Sequence, residues 1–153
     1  MSEFRDPYTD PDSGILRNHL GISSQDALNE AEADLTLARA TQIQTRGIKA
    51  TNDLAELCAI HRHLFQDVYD WAGRIRTVDI RKNVAGAEFF VPVGMIERAA
   101  GYAAEALRED GFLRGMPRER LVERLAFHYD QFNYLHPFRE GTGVRSVFSG
   151  AGW

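Results

Sequence analysis

Apolar residues recur at the spacing of an α-helix in four segments of this 153-residue chain, which predicts a mainly α-helical domain. The clearest segment reads "TNDLAELCAIHRHLFQDVYDWAG", with Thr51 or Asn52 as a possible N-cap. Its apolar stripe consists of Leu54, Leu57, His61, Leu64, Val68 and Trp71. The other three helices are predicted from Ser24 to near Gly47, from Met95 to Leu107, and from Pro117 to Leu135 with the stripe Leu121, Leu125, His128, Phe132 and Leu135.

One segment between the second and third helices has a different period. Residues alternate in "RIRTVDIR", a turn follows in "NVAGAEF", and "FFVPV" completes the pattern, which predicts one β-hairpin from about Ile75 to Val91. Two interpretations of its basic residues stay open: contact with phosphates or a target, or a solvated edge protected by charge. These residues are Arg74, Arg76, Arg81 and Lys82.

The composition narrows the class of protein. Residues 1–23 are rich in Pro, Gly, Asp and Ser, which predicts an ordered arm ahead of a single domain at 24–153. The net charge of -4 does not favour a nucleic-acid partner, and no apolar run approaches the length of a membrane span. The N-terminus is acidic and polar, unlike a secretory signal, and Cys58 is the single cysteine. A cytoplasmic protein with no membrane contact is therefore expected.

The end of the fourth helix carries the residues with the most chemistry, in "FNYLHPFREGTG". Pro137 disfavours helical backbone angles at the residue before it, so the helix should end at Leu135 or His136. A histidine has an ordinary pKa of about 6.5, so His136 could accept a proton from an attacking hydroxyl. Glu140 could hold Mg²⁺, and the glycine turn after it could cradle phosphate oxygens. Together these groups indicate phosphoryl or nucleotidyl transfer.

Each of these features also has an ordinary structural interpretation. A loop histidine before proline is usually structural, and a single Gly-x-Gly is common in turns. His61 and His128 lie on apolar stripes, where a core histidine is the more frequent case. His61 and His63 point to different faces of a helix and do not form a zinc pair.

Several quoted stretches resemble the Fic family. "HPFREGTG" is similar to the family signature, His-Pro-Phe-x-(Asp/Glu)-Gly-Asn-Gly-Arg-x-x-Arg. "LFQDVYDWAGRIRTVDIRK" resembles the segment that leads into the family's flap hairpin, and "DPDSGILRNHLGI" is similar to the start of bacterial members. The resemblance covers most of residues 8 to 143 and implies a Fic fold, a helical bundle with one hairpin flap.

The resemblance implies transfer of AMP from ATP to a hydroxyl side chain of a target protein. His136 would be the catalytic base, Glu140 would be the Mg²⁺ ligand, and Phe138 would anchor the loop beside the nucleotide. The backbone of Gly141, Thr142 and Gly143 would bind the phosphates. Phosphorylation or AMP removal are alternative Fic reactions, although a kinase-like variant would carry lysine in place of Gly143. The hairpin from Ile75 to Val91 would be the flap on which the target protein docks.

The signature is broken after Gly141. Thr142, Val144 and Val147 stand where the family has Asn, Arg and Arg, so stabilisation of the phosphates should fall sharply. Deleting one adenine from the Asn codon of a family-like Gly-Asn-Gly-Arg sequence yields Gly-Thr-Gly-Val, which suggests a frameshift that leaves the domain incomplete after about residue 141. A non-catalytic Fic-fold remnant that binds nucleotide or a partner is the alternative.

Control of the activity is also suggested by the family. Its self-inhibitory motif places Ser or Thr four residues before Glu, and no Glu in this chain meets that condition. The resemblance then implies a separate small antitoxin-like inhibitor, or none.

Overall fold

The computed structural model describes residues 5–81 and 85–140. The predicted helical class is confirmed, and the chain divides into two compact units. The first unit comprises Met1–Lys49, Leu57–Arg74 and Glu140–Trp153, and the second comprises Ala50–Glu56 and Ile75–Arg139. The helices are α1 (Gln25–Arg46), α2 (Leu54–Phe65), α3 (Ile96–Glu109) and α4 (Arg118–Leu135), with 3₁₀ turns at Val93–Met95 and Gly111–Leu113. None of the described helices is long and apolar enough to cross a bilayer.

The start of α2 differs from the prediction. The side chain of Asp53, and not that of Thr51 or Asn52, accepts a hydrogen bond from the Glu56 N–H at 3.2 Å. The Glu56 carboxylate in turn accepts the N–H groups of Thr51 at 3.1 Å and Asn52 at 2.7 Å. These reciprocal bonds satisfy the free amides at the helix start, so α2 begins at Leu54.

The first unit has a core built from α1, α2 and the turns after α2. The helix α2 stops at Phe65, so Val68 and Trp71 of the predicted stripe lie in turns, although Val68 is fully buried. Ile15 from the N-terminal segment packs into the same core. Arg39 donates two hydrogen bonds to Asp67, at 2.7 and 2.8 Å. The buried core residues are Ile15, Leu28, Leu64, Phe65, Val68, Tyr69 and Ala72.

The second unit pairs α3 with α4. Its core contains Ile96 and Ala100 from α3, Leu135 from α4, and Val91. Leu125, which the sequence places on the apolar stripe of α4, is 51% exposed. The inward face of α4 is confirmed nearer its C-terminus, where His128 and Leu135 are buried.

The predicted hairpin forms only one antiparallel bridge within the described residues, between Arg81 and Phe89. We call residues 75–81 and 85–91 the flap segment. Its backbone groups bond partly to side chains: Arg76 donates to the carbonyl oxygens of Val78 and Val91. The Asp79 side chain accepts the N–H of Val93, which follows the flap segment. Because these bonds occupy groups that a strand ladder would use, the described part of the flap segment has no extended strand.

Candidate active site

His136 lies at the C-terminal end of α4, as predicted from Pro137. The helix ends at Leu135, and His136 adopts a left-handed conformation with φ 39° and ψ 64°. Its N–H still donates to the Phe132 carbonyl oxygen at 3.2 Å. A left-handed conformation is unfavourable for a residue with a Cβ atom, so surrounding contacts must stabilise it.

The His136 ring stacks on the ring of Phe90 from the flap segment. The ring centroids are 4.2 Å apart, and the planes differ by 11°. Phe90 is held by its N–H, which donates to the Ile80 carbonyl oxygen at 3.0 Å. The flap segment therefore orients one face of the imidazole.

Arg76 binds two successive backbone carbonyls, those of His136 and Pro137. Its side chain is 1% exposed, and its Nε donates to the His136 carbonyl oxygen at 2.7 Å. Its backbone N–H donates to the Pro137 carbonyl oxygen at 2.9 Å. The interpretation of Arg76 as a solvated edge residue is therefore wrong, whereas Arg74 and Arg81 are exposed. Lys82 lies outside the described residues.

The rest of the signature is split between the two units: Phe138 and Arg139 belong to the second unit, and Glu140 belongs to the first. Phe138 is 8% exposed, and Glu140 is half-buried. The predicted phosphate-binding residues Gly141, Thr142 and Gly143, and the variant positions Val144 and Val147, lie outside the described residues.

Glu140 is held through its backbone by His61 of α2. The His61 Nδ1 accepts the Gly73 N–H at 2.8 Å, so its Nε2 carries the proton and donates to the Glu140 carbonyl oxygen at 2.8 Å. The ring is fully buried and stacks on Phe65 at 4.5 Å between centroids. Burial lowers the His61 pKa from 6.5 to about 4, although its hydrogen bond to the Glu140 carbonyl acts in the opposite direction. The expectation of a core histidine is confirmed.

A second carboxylate of the first unit, that of Glu32 of α1, interacts electrostatically with Glu140. The Tyr69 hydroxyl donates a hydrogen bond to Glu32. Burial is the main cause that raises the Glu32 pKa, the Tyr69 bond lowers it, and the charge of Glu140 raises it further. Glu32 is not singled out by the sequence analysis. When it is ionised, it adds negative charge to the surroundings of Glu140.

The side chains near Glu140 can be compared with the ligands that Mg²⁺ requires. Within the part of the chain that the structure describes, no group of three or more His, Cys, Asp or Glu side chains could hold a metal ion. Mg²⁺ is commonly held by one or two carboxylates together with water and substrate phosphates. Glu140 as a single carboxylate fits that mode, in which the ion arrives with a nucleotide.

His128 also lies in the core, where it is 3% exposed. Its Nε2 lies 2.7 Å from a carboxylate oxygen of Asp110, which also accepts from Arg124 at 2.6 Å. Hydrogen bonding to Arg124 and then to His128 lowers the Asp110 pKa. This ion-paired cluster joins α4 to the end of α3 and supports the structural interpretation of His128.

The neutral state of His61 leads to a pH prediction. Above pH 6.5 the imidazole is neutral in both the folded and the unfolded chain. Between pH 6.5 and about 4 only the unfolded chain binds the proton, so the free energy of unfolding should fall by about 3 kcal/mol as the pH falls through this range. Urea unfolding at several pH values measures the effect.

The matched variants separate this titration from that of the carboxylates. His61→Gln should flatten the difference between pH 6.5 and 4, whereas His63→Gln on the same helix should retain it. An equal pH slope in wild type and His61→Gln would contradict the assignment.

Most of the chain is similar to proteins of one family. The Fic/DOC family model matches residues 51–149. The chain is 42% identical over 144 residues to the "probable protein adenylyltransferase Fic" of Salmonella typhimurium, covering 94% of this chain and 70% of that protein. It is 37% identical over 138 residues to the protein adenylyltransferase VbhT of Bartonella schoenbuchensis, covering 90% of this chain and 28% of that one.

A solved structure with a similar fold is the N-terminal Fic domain of a VirB-translocated Bep effector protein from Bartonella quintana, with bound ADP. Its TM-score is 0.78 at 25% identity, covering 89% of this chain and 69% of that one. The sequence and fold agree with the family match, which spans well over half of the residues. The chain belongs to the Fic/DOC family, whose adenylyltransferase members are its relatives.

Proposed function

We propose that this chain is a protein adenylyltransferase that transfers AMP from ATP to a hydroxyl side chain of a target protein. The observation that carries the proposal is the imidazole of His136, which leaves the end of α4 within a His-Pro-Phe-x-Glu-Gly sequence and stacks on Phe90. Relatives named as adenylyltransferases support the reaction class. The ADP in the related Bartonella quintana structure supports a nucleotide substrate.

In the proposed reaction the target hydroxyl attacks the α-phosphorus of ATP. A ring nitrogen of His136 accepts the hydroxyl proton, a new O–P bond forms, the bond between the α- and β-phosphates breaks, and pyrophosphate leaves. Phe138, which is buried, would anchor the loop that follows α4, and the backbone of Gly141, Thr142 and Gly143 would bind the phosphates. Mg²⁺ held by the Glu140 carboxylate would neutralise phosphate charge.

The flap segment is the proposed docking site of the target. The side chains of Thr77, Asp79 and Arg81 are exposed, and Phe89 is 54% exposed. An extended target segment could pair with this backbone in the manner of an added strand. No Glu in this sequence has Ser or Thr four residues before it, which is compatible with a separate small antitoxin-like inhibitor or with none.

A second candidate follows from the altered signature. Thr142, Val144 and Val147 replace the polar and cationic groups of the family, which favours a non-catalytic chain that binds nucleotide or a partner. Transfer of label separates the two candidates, and the position of the label separates AMP transfer from phosphorylation.

The test incubates the purified chain and bacterial lysate with Mg²⁺ and ATP labelled at the α-phosphate. Protein-bound label is expected with the wild type, and His136→Ala should lower the rate at least about a hundredfold, because general-base catalysis contributes about 10²- to 10⁴-fold. His19→Ala, which removes an exposed histidine, should leave the rate unchanged. Label from the γ-phosphate would indicate phosphorylation. If neither the wild type nor a chain with the family residues restored transfers label, the proposal is overturned.

A further inference from the structure

The Arg76 side chain contacts two backbone carbonyl oxygens at the end of α4. Its guanidinium donates to the His136 carbonyl oxygen, and a second contact reaches the Leu135 carbonyl oxygen at 3.5 Å. The last carbonyls of a helix have no partner within the helix and lie at the negative end of its dipole. A buried cation at this position therefore satisfies the carbonyls and interacts favourably with the dipole.

The same guanidinium binds the flap segment. It donates to the carbonyl oxygens of Val78 and Val91, and its Nη1 lies 3.9 Å from the Asp79 carboxylate. Val91 follows Phe90, and the Val91 N–H donates to the Tyr134 carbonyl oxygen at 3.3 Å. One side chain thus fixes the backbone beside both members of the stacked ring pair.

These bonds bear on the unusual conformation of His136. With φ at 39°, the residue lies in the left-handed region, which is unfavourable for a residue with a Cβ atom. The Arg76 side chain holds the His136 carbonyl, and the Arg76 backbone holds the next carbonyl, at Pro137. Fixing two successive carbonyls restricts ψ of His136 and hence the direction of its Cα–Cβ bond, from which the imidazole reaches the Phe90 ring.

We propose that Arg76 is the positioning residue of His136: it holds the left-handed turn at the end of α4 and the flap backbone in one arrangement, so that the imidazole lies against Phe90. This inference rests on the proposed role of His136 as the base. Arg76 acts through the backbone and touches no reacting atom, so its loss should lower kcat more than it changes KM.

Arg76→Lys is the principal variant, because lysine keeps the charge but lacks the planar fork of donors. In a chain with the family residues restored at 142, 144 and 147, we expect kcat to fall about 10- to 100-fold with KM for ATP changed less than about threefold, since small misplacement of a catalytic group costs up to about 10²-fold. An unchanged kcat would overturn the proposal.

Proton NMR of the His136 ring provides a readout that does not need activity. In the wild type the Phe90 ring should shift the His136 ring signals, and Phe90→Leu defines the unstacked value. Arg76→Lys should move the signals toward that value, whereas Arg74→Lys, two residues away and exposed, should not. Signals unchanged in Arg76→Lys would contradict the proposal, and absence of AMP transfer alone would count only against the proposed function.

Hydrogen exchange in the wild type covers the case in which Arg76→Lys does not fold. The Arg76 Nε–H is buried and bonded to the His136 carbonyl, so it should exchange at least about a hundredfold more slowly than that of Arg74. Equal exchange at the two arginines would overturn the proposal.

Discussion

Restoring the family residues by Thr142→Asn, Val144→Arg and Val147→Arg together is expected to raise the rate of AMP transfer at least about a thousandfold. An arginine guanidinium is always charged and can bind phosphate oxygens through two parallel hydrogen bonds, which valine cannot do. Removing a single donor to a transition-state anion costs about 10²- to 10³-fold in other enzymes. Three such groups differ here, so even strongly non-additive contributions give a large gain.

The rate is measured with α-labelled ATP under the conditions used for the wild type. A matched chain with Thr142→Asn, Val144→Lys and Val147→Lys carries the same charge without the planar fork, and its gain should be smaller. Adding His136→Ala to the restored chain should remove the gain. If the restored chain transfers AMP no faster than the wild type, the side chains at 142, 144 and 147 do not stabilise the reaction. The non-catalytic interpretation is favoured when neither chain transfers AMP.

The helices could be predicted because their causes are local. The apolar period places α1, α3 and α4 close to their observed bounds, and Pro137 predicts the end of α4. The alternation of residues in the flap segment predicts a hairpin, and Val78 and Ile80 are less exposed than Thr77 and Asp79. Its hydrogen bonds could not be predicted, since they depend on the buried Arg76 side chain.

The hydrogen bonds that hold Glu140 and His136 in place could not be predicted either, for a different reason. His61 and Glu140 are 79 residues apart, and Arg76 and His136 are 60 apart, so no local pattern reports either pair. One signal for Arg76 was present: the alternation places it on the same face as Val78 and Ile80. A charged residue on the apolar face of an alternating segment must find partners when buried, and here those partners are backbone carbonyls.

The position of Glu140 also depends on a glycine distant from it in sequence. Gly73 donates its N–H to His61, which in turn holds the Glu140 carbonyl. Gly73 has a φ of +75°, and a Cβ atom added to it would lie 2.5 Å from the Cβ of Arg62 and 2.7 Å from the carbonyl oxygen of Cys58. Both neighbours belong to α2, so neither can move without displacing the helix.

Gly73→Ala is therefore expected to lower the free energy of unfolding by about 2 to 5 kcal/mol. Positive φ costs an alanine about 1 to 2 kcal/mol, and forcing extra volume into a packed region adds about 1 to 3 kcal/mol or more. Urea unfolding at neutral pH measures the loss. Gly47→Ala is the matched control, because Gly47 has a φ of +71° but an added Cβ would have no atom within 4 Å. Its loss should be only about 1 to 2 kcal/mol, from the backbone conformation alone. Equal losses in the two variants would contradict the steric argument, because the difference between them isolates the close approach of Gly73 to α2.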